Sequence, residues 1–152
     1  MSNKLVKINA NSRDIYTDSP IVSYRIRSKG SGKIIGILKF NPADTNIIDR
    51  YKEVAKYYEN YKMPEKTGNL DEDIENIKKA ENDIVDKISY LIDSDSREAF
   101  FNSVGAFTVM EDGELFVEKA LSVISTAIEK EMNVRTLKLK KRMNKYVAKY
   151  HN

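Results

Sequence analysis

The chain has no cysteine, so it can hold no disulfide framework, no thiolate nucleophile and no zinc-thiolate centre. A reduced compartment permits such a composition without requiring it. Its single histidine, His151, is the penultimate residue, a poor place for a general base or a metal ligand. No run of 18 apolar residues occurs, and no N-terminal stretch joins a basic start, an apolar run and a small-residue cleavage site. A soluble, cytosolic protein without a membrane partner is expected. The glycine pair Gly30 and Gly32 is followed by Lys33, yet it lacks the Gly-Lys-Ser/Thr ending and following helix of a phosphate loop, and reads as a turn. With neither nucleophile-base pair nor metal cluster in view, no catalytic, cofactor-binding or metal residue is assigned and enzymatic activity is not expected.

One further absence is local. From Asn133 to Asn152 there is no acid but there are seven bases, while the preceding 132 residues carry 19 bases against 23 acids. The net charge of +3 therefore belongs to the tail, a statement about partners and solubility and not about fold.

At 152 residues the chain sits in the range of one domain and buries roughly two-thirds of its unfolded surface. Alternation in Ile21–Arg27 puts Val22, Tyr24 and Ile26 on one face, and Lys33–Phe40 follows a Gly-rich turn. This predicts a β-hairpin. Because two strands alone are marginal in water, helix cover or a third strand from Leu5 to Ile8 is expected, failing which an open edge is left for a partner.

Asp44 is placed to cap a first helix running to about Tyr61, with Ile47, Ile48, Tyr51, Val54, Tyr58 and Tyr61 as its apolar stripe. Such tyrosines read as core-edge residues ahead of a base-stacking platform. A second helix over Leu70–Ile92 carries a seam of Leu70, Ile74, Ile77, Ile84, Ile88 and Leu91, suited to the protein's own helices or to another chain. Asp71, Glu72 and Asp73 lack the spacing of an EF-hand and read as first-turn anions.

Asp95 and Glu98 are spaced like a capping box for a short helix over 96–104 that Gly105 ends. Phe100, Phe101 and Phe107 cluster around that glycine, more apolar surface than a short helix must bury. Asp112 then introduces a helix from Glu114 to about Met132. In the basic segment, Met143, Tyr146, Val147 and Tyr150 fit one helix face, whereas Leu137 and Leu139 fit it poorly, so a helical continuation and an arm both stay open. Leu139, Met143, Tyr146 and Tyr150 are candidate contacts for a protein partner, and Lys138, Lys140, Lys141, Arg142 and Lys145 for nucleic acid or an acidic partner. No major-groove reading motif accompanies them, which ranks nucleic acid behind protein.

The expected architecture is α+β: an N-terminal β-hairpin or small antiparallel sheet, then a bundle of four to five helices. One domain spans 1–132, its β part 4–40 and its helical part 44–132, followed by a basic C-terminal helix or arm over 133–152.

Three segments carry a resemblance. Phe40-Asn-Pro-Ala-Asp-Thr-Asn-Ile-Ile-Asp-Arg-Tyr51, Ala99-Phe-Phe-Asn-Ser-Val-Gly-Ala-Phe107 and Arg142-Met-Asn-Lys-Tyr146, with the helix before the last, resemble the small tail assembly chaperones of long, non-contractile-tailed phages of Gram-positive bacteria. There an F-x-P-x-D-T sequence leads into the first helix, a phenylalanine pair followed by Val/Phe-Gly precedes the last long one, and a basic Asn-Lys-Tyr terminus is common. The ending Val147-Ala-Lys-Tyr departs from the Arg-rich pattern. The resemblance implies a non-enzymatic, self-associating protein that coats the tape-measure protein in the infected host's cytoplasm through Phe100, Phe101 and Phe107 and is absent from the virion, with a longer frameshifted product. A virion accessory protein and a small regulator acting through the basic segment are the readings from other classes.

Overall fold

A computed structural model describes residues 13–150, with side chains to residue 143. β1 (Val22–Arg27) and β2 (Ile34–Phe40) form an antiparallel hairpin in the register Val22 to Phe40, Tyr24 to Leu38 and Ile26 to Gly36. As the alternation requires, Val22, Tyr24 and Ile26 are half-buried beside the buried Leu38 and Phe40. The Tyr24 and Phe40 rings stack with centroids 6.1 Å apart. The register shifts between Ile26 and Arg27, leaving Ile35 as the extra residue of a bulge that also turns it toward the core. Among the described residues β1 pairs with β2 alone; the third strand expected from Leu5 to Ile8 lies outside them.

Helical cover stabilises the hairpin. A single π turn, Arg97–Phe101, packs on β2 so closely that a Cβ added at Gly36 would lie 2.0 Å from the Ala99 carbonyl oxygen. Glycine is thus required at position 36 by close backbone approach.

α1 (Ile47–Glu59) starts later than expected and stops two residues before Tyr61. Asp44 does not cap its first amides. Its Oδ1 accepts from the Asn46 amide at 2.9 Å and its Oδ2 pairs with Arg50 at 2.8 Å, which draws its pKa below the usual carboxylate range. Asn46 takes the cap position without a side-chain bond.

α2 (Leu70–Ile92) has the expected bounds. Asn69 caps it, Oδ1 accepting from the Asp71 and Glu72 amides at 3.1 and 3.2 Å. It ends on Asp93, a left-handed residue with φ of 51°. Its seam divides: Ile84, Ile88 and Leu91 are buried, whereas Leu70, Ile74 and Ile77 face solvent.

The short helix expected over 96–104 is only the π turn. Its capping box does not form, because Glu98 points to Lys39, 4.0 Å away, and Asp95 accepts from the Arg97 amide instead. The segment is held from behind: the buried Ser96 hydroxyl donates to the Val85 carbonyl at 2.7 Å and accepts from Ser89 at 2.8 Å. Gly105 does not terminate a helix either; a Cβ there would meet the Glu81 carboxylate at 3.1 Å.

α3 (Phe116–Tyr150) starts two residues after Glu114. Asp112 accepts from the Glu114 amide at 3.0 Å, before the helix, and Glu118 reaches back to accept from the Leu115 amide at 3.0 Å. The helix runs on through the basic segment without a break, about 52 Å in all.

The sheet is thus followed by four helical segments, three α-helices and the π turn, in an α+β fold. Its core joins Leu38 and Phe40, Ile84 and Ile88, Phe100, and Val117, Leu121 and Ile124. Arg50 bonds the Leu91 carbonyl at 3.1 Å while Lys87 lies over the Tyr57 ring, so α1 and α2 are antiparallel. Tyr58 bonds Glu118 at 2.8 Å while Ile48 and Tyr51 share a cleft with Ile128 and Met132, so α1 and α3 are antiparallel too. α2 and α3 therefore point the same way. The first turns of α2 and the last turns of α3 leave the core at opposite ends.

Candidate functional site

The three phenylalanines do not form an exposed patch. Phe100 is 2% exposed, Phe101 packs edge-on against Phe116 at 5.8 Å, and Phe107 lies 6.1 Å from the Tyr61 ring, both of these half-buried. Phe100 nevertheless reaches a cleft of about 710 Å³ between the hairpin and α3. The bulged Ile35, Ile26, Val104, Met110, Phe116 and Val123 line it with Phe100. Arg27, Lys29, Glu111, Asp112 and Lys119 stand around them.

That charged boundary is tied down. Lys119 bonds Asp112 and sits 3.0 Å from Glu114, while Arg27 Nη1 donates to the Gly32 carbonyl at 2.9 Å. The Lys119 hydrogen bond draws the Asp112 carboxyl down, and the same bond pushes the lysine up. Both ions persist at neutral pH, so an apolar occupant meets a fixed polar frame. A cleft of this size and character suits one face of a helix or a small amphipathic molecule.

Farther along the same face, the hairpin is fixed to α3 by the bond from the Tyr24 hydroxyl to Glu131. Burial, reinforced by that bond, pushes the Tyr24 hydroxyl up to about 12; burial and the bond to Glu118 do the same for Tyr58. Among the described residues no group of three His, Cys, Asp or Glu could hold a metal, and no helix is long and apolar enough to cross a membrane.

No protein-family model, curated protein or solved structure matches the chain.

Of the predicted contacts on the C-terminal segment, Leu139 and Met143 are exposed, at 61% and 56%. They stand four residues apart on a continuous helix, one turn from each other, so Leu139 belongs to the face of Met143 after all. Tyr146 and Tyr150 follow by three and four residues on the same helical backbone. Leu137, also exposed, lies well off this row. The bases sort likewise: Arg135, Lys138, Arg142, Lys145 and Lys149 recur at three and four residues, Lys141 flanks them, and Lys140 falls beyond the apolar row. The cleft needs the bulge at Ile35 and the approach at Gly36, and in the sequence only Gly36 inside an apolar strand signals either.

Proposed function

We propose that this chain is a non-enzymatic phage tail assembly chaperone, which binds the apolar helical tape-measure protein in the infected cell and keeps it soluble until the tail tube polymerises. The observation that carries the proposal is the cleft between the hairpin and α3, an apolar trough floored by Phe100 and framed by paired charges. A chaperone for a long apolar helix needs an apolar groove on a surface otherwise charged enough to stay soluble. In this reading Phe100 floors the cleft, Phe101 supports its wall by packing on Phe116, and Phe107 packs on Tyr61 outside it, so none of the three acts as a free anchor.

Co-expression with the tape-measure protein tests it. The wild type yields a soluble complex, and Val123→Arg, which places a charge at the cleft mouth from a residue already 37% exposed, folds normally but leaves the partner insoluble. A soluble complex unaffected by Val123→Arg removes the cleft from the proposal. Insolubility of the partner beside the wild type removes the function. Finished particles lacking the protein by mass spectrometry agree with a chaperone, whereas its presence favours a virion accessory protein.

The row Arg135, Lys138, Arg142, Lys145 and Lys149 favours a second reading, a regulator whose basic helix binds nucleic acid. It requires affinity that falls steeply with salt and disappears on removal of residues 133–152.

A further inference from the structure

Given the helix-binding reading of the cleft proposed above, on which this rests, we infer that the two walls of the cleft, opposite in charge, fix the direction in which a partner helix lies. The occupant is an amphipathic helix whose apolar row has an acidic border on one side and a basic border on the other.

The hairpin wall is basic. Arg27 and Lys29 are the charged residues that β1 and its turn bring to the cleft. That turn is closed by the Ser28 amide on the Lys33 carbonyl at 2.8 Å and by the Gly32 amide on the Ser28 carbonyl at 2.9 Å, and Arg27 is bonded to it through the Gly32 carbonyl. The α3 wall is acidic. Glu111 and Asp112 come from the turn that leads into α3, with Glu114 just behind them and Lys119 as the base in their midst. Lys119 is held between Asp112 and Glu114, so three carboxylates against one ammonium leave this wall negative. Its turn is closed as well, the Gly113 amide donating to the Met110 carbonyl at 2.9 Å and the Met110 amide to the Glu114 carbonyl at 2.7 Å. Both walls are therefore set before anything binds, and a partner need not order them.

Between the walls, Ile26, Ile35, Phe100 and Val123 supply apolar surface without charge. Such a surface accepts the apolar row of a helix and does not distinguish its two directions. The walls do. Reversing a helix in a trough exchanges which border faces which wall, so a helix with one acidic and one basic border has two attractive edges in one direction and two repulsive ones in the other. A helix with two acidic or two basic borders meets one repulsive edge in either direction. The walls thus select both the partner and its direction, and salt screens the selection because these charges lie at the rim.

Fluorescence anisotropy of labelled two-heptad peptides, held at nanomolar concentration against the full chain, tests it. All carry leucine at heptad positions a and d, and their border positions e and g are glutamate and lysine, lysine and glutamate, both glutamate, or both lysine. At low salt the two mixed peptides bind about fivefold or more tighter than the two uniform ones, and at about 1 M salt the difference is gone. Because the chain has no cysteine, a spin label on Thr126→Cys, an exposed position one turn beyond Val123, stands at one known place. It broadens a fluorine reporter at opposite ends of the two mixed peptides. Lys29→Glu/Glu111→Lys keeps the net charge and neutralises each wall, circular dichroism verifies that it folds, and all four peptides then bind it alike. Equal affinity of the four peptides for the wild type, or one direction for both mixed peptides, overturns the inference and leaves the helix-binding reading in place. Failure of every peptide to bind overturns both. Binding that appears only after residues 1–12 are removed gives the cleft to the chain's own start and overturns the inference as well.

Discussion

Replacing Gly36 by alanine probes the contact on which the rest of the fold depends. An ideal Cβ at position 36 would stand 2.0 Å from the Ala99 oxygen and 2.5 Å from both the Ala99 carbon and the Glu98 oxygen. All three are backbone atoms, so no rotamer change relieves the clash, and β2 and the π turn must part by at least about 1 Å. Parting them loosens the contact of Ser94 with the Lys39 carbonyl, the core that Leu38 and Phe100 share, and the cleft wall at Ile35. Overpacking of this kind costs about 3 kcal/mol or more, which lowers the melting temperature of a domain this size by about 6–12 °C. Gly105→Ala is the internal comparison, because its Cβ meets only the movable carboxylate of Glu81 at 3.1 Å and should cost far less. Thermal unfolding followed by circular dichroism measures both. A Gly36→Ala protein melting within about 2 °C of wild type, or no lower than Gly105→Ala, would refute the claim that backbone contact at Gly36 anchors the hairpin.

Other consequences are equally direct. Ser96→Ala removes the buried hydroxyl that bonds the Val85 carbonyl and the Ser89 hydroxyl, and urea unfolding should show a loss of about 1–3 kcal/mol; an unchanged midpoint would mean that the π turn is not held from α2. Tyr24 and Tyr58 are each raised from 10.0 to about 12 in the folded state, so the stability they contribute is complete below pH 10 and is lost as pH rises toward 12. Tyrosinate absorbance should show two tyrosines ionising near pH 12. Tyr58→Phe should lose less stability over the same interval than wild type does, and an equal loss would show that the bond to Glu118 is not its source.

Much of the architecture was legible because local rules and burial agree. The two-residue period of Val22, Tyr24 and Ile26 and the three- and four-residue periods of α2 and α3 are what the core uses. Misreadings arose where a tertiary contact outbid a local one. Asp44 had cap chemistry but found Arg50. Glu98 had capping-box spacing but the turn it would have closed is pulled open against β2 and pinned through Ser96. Phe100, Phe101 and Phe107 looked like surplus apolar surface because the sequence does not reveal that Tyr61 and Phe116 close over two of them. The bases of the tail were visible, but their sorting into a row beside Leu139 and Met143 required knowing that the helix is unbroken. The cleft required the bulge and the glycine together, two features without a shared local signal.

Hydrogen exchange on the chain alone and in complex with the tape-measure protein tests the central claim, partner binding in the cleft, most directly. Slowed exchange over residues 26–35 and 104–123, the segments that carry the cleft walls, is the predicted result. Unchanged exchange there, with slowing confined to residues 133–150, would contradict it and assign binding to the basic helix.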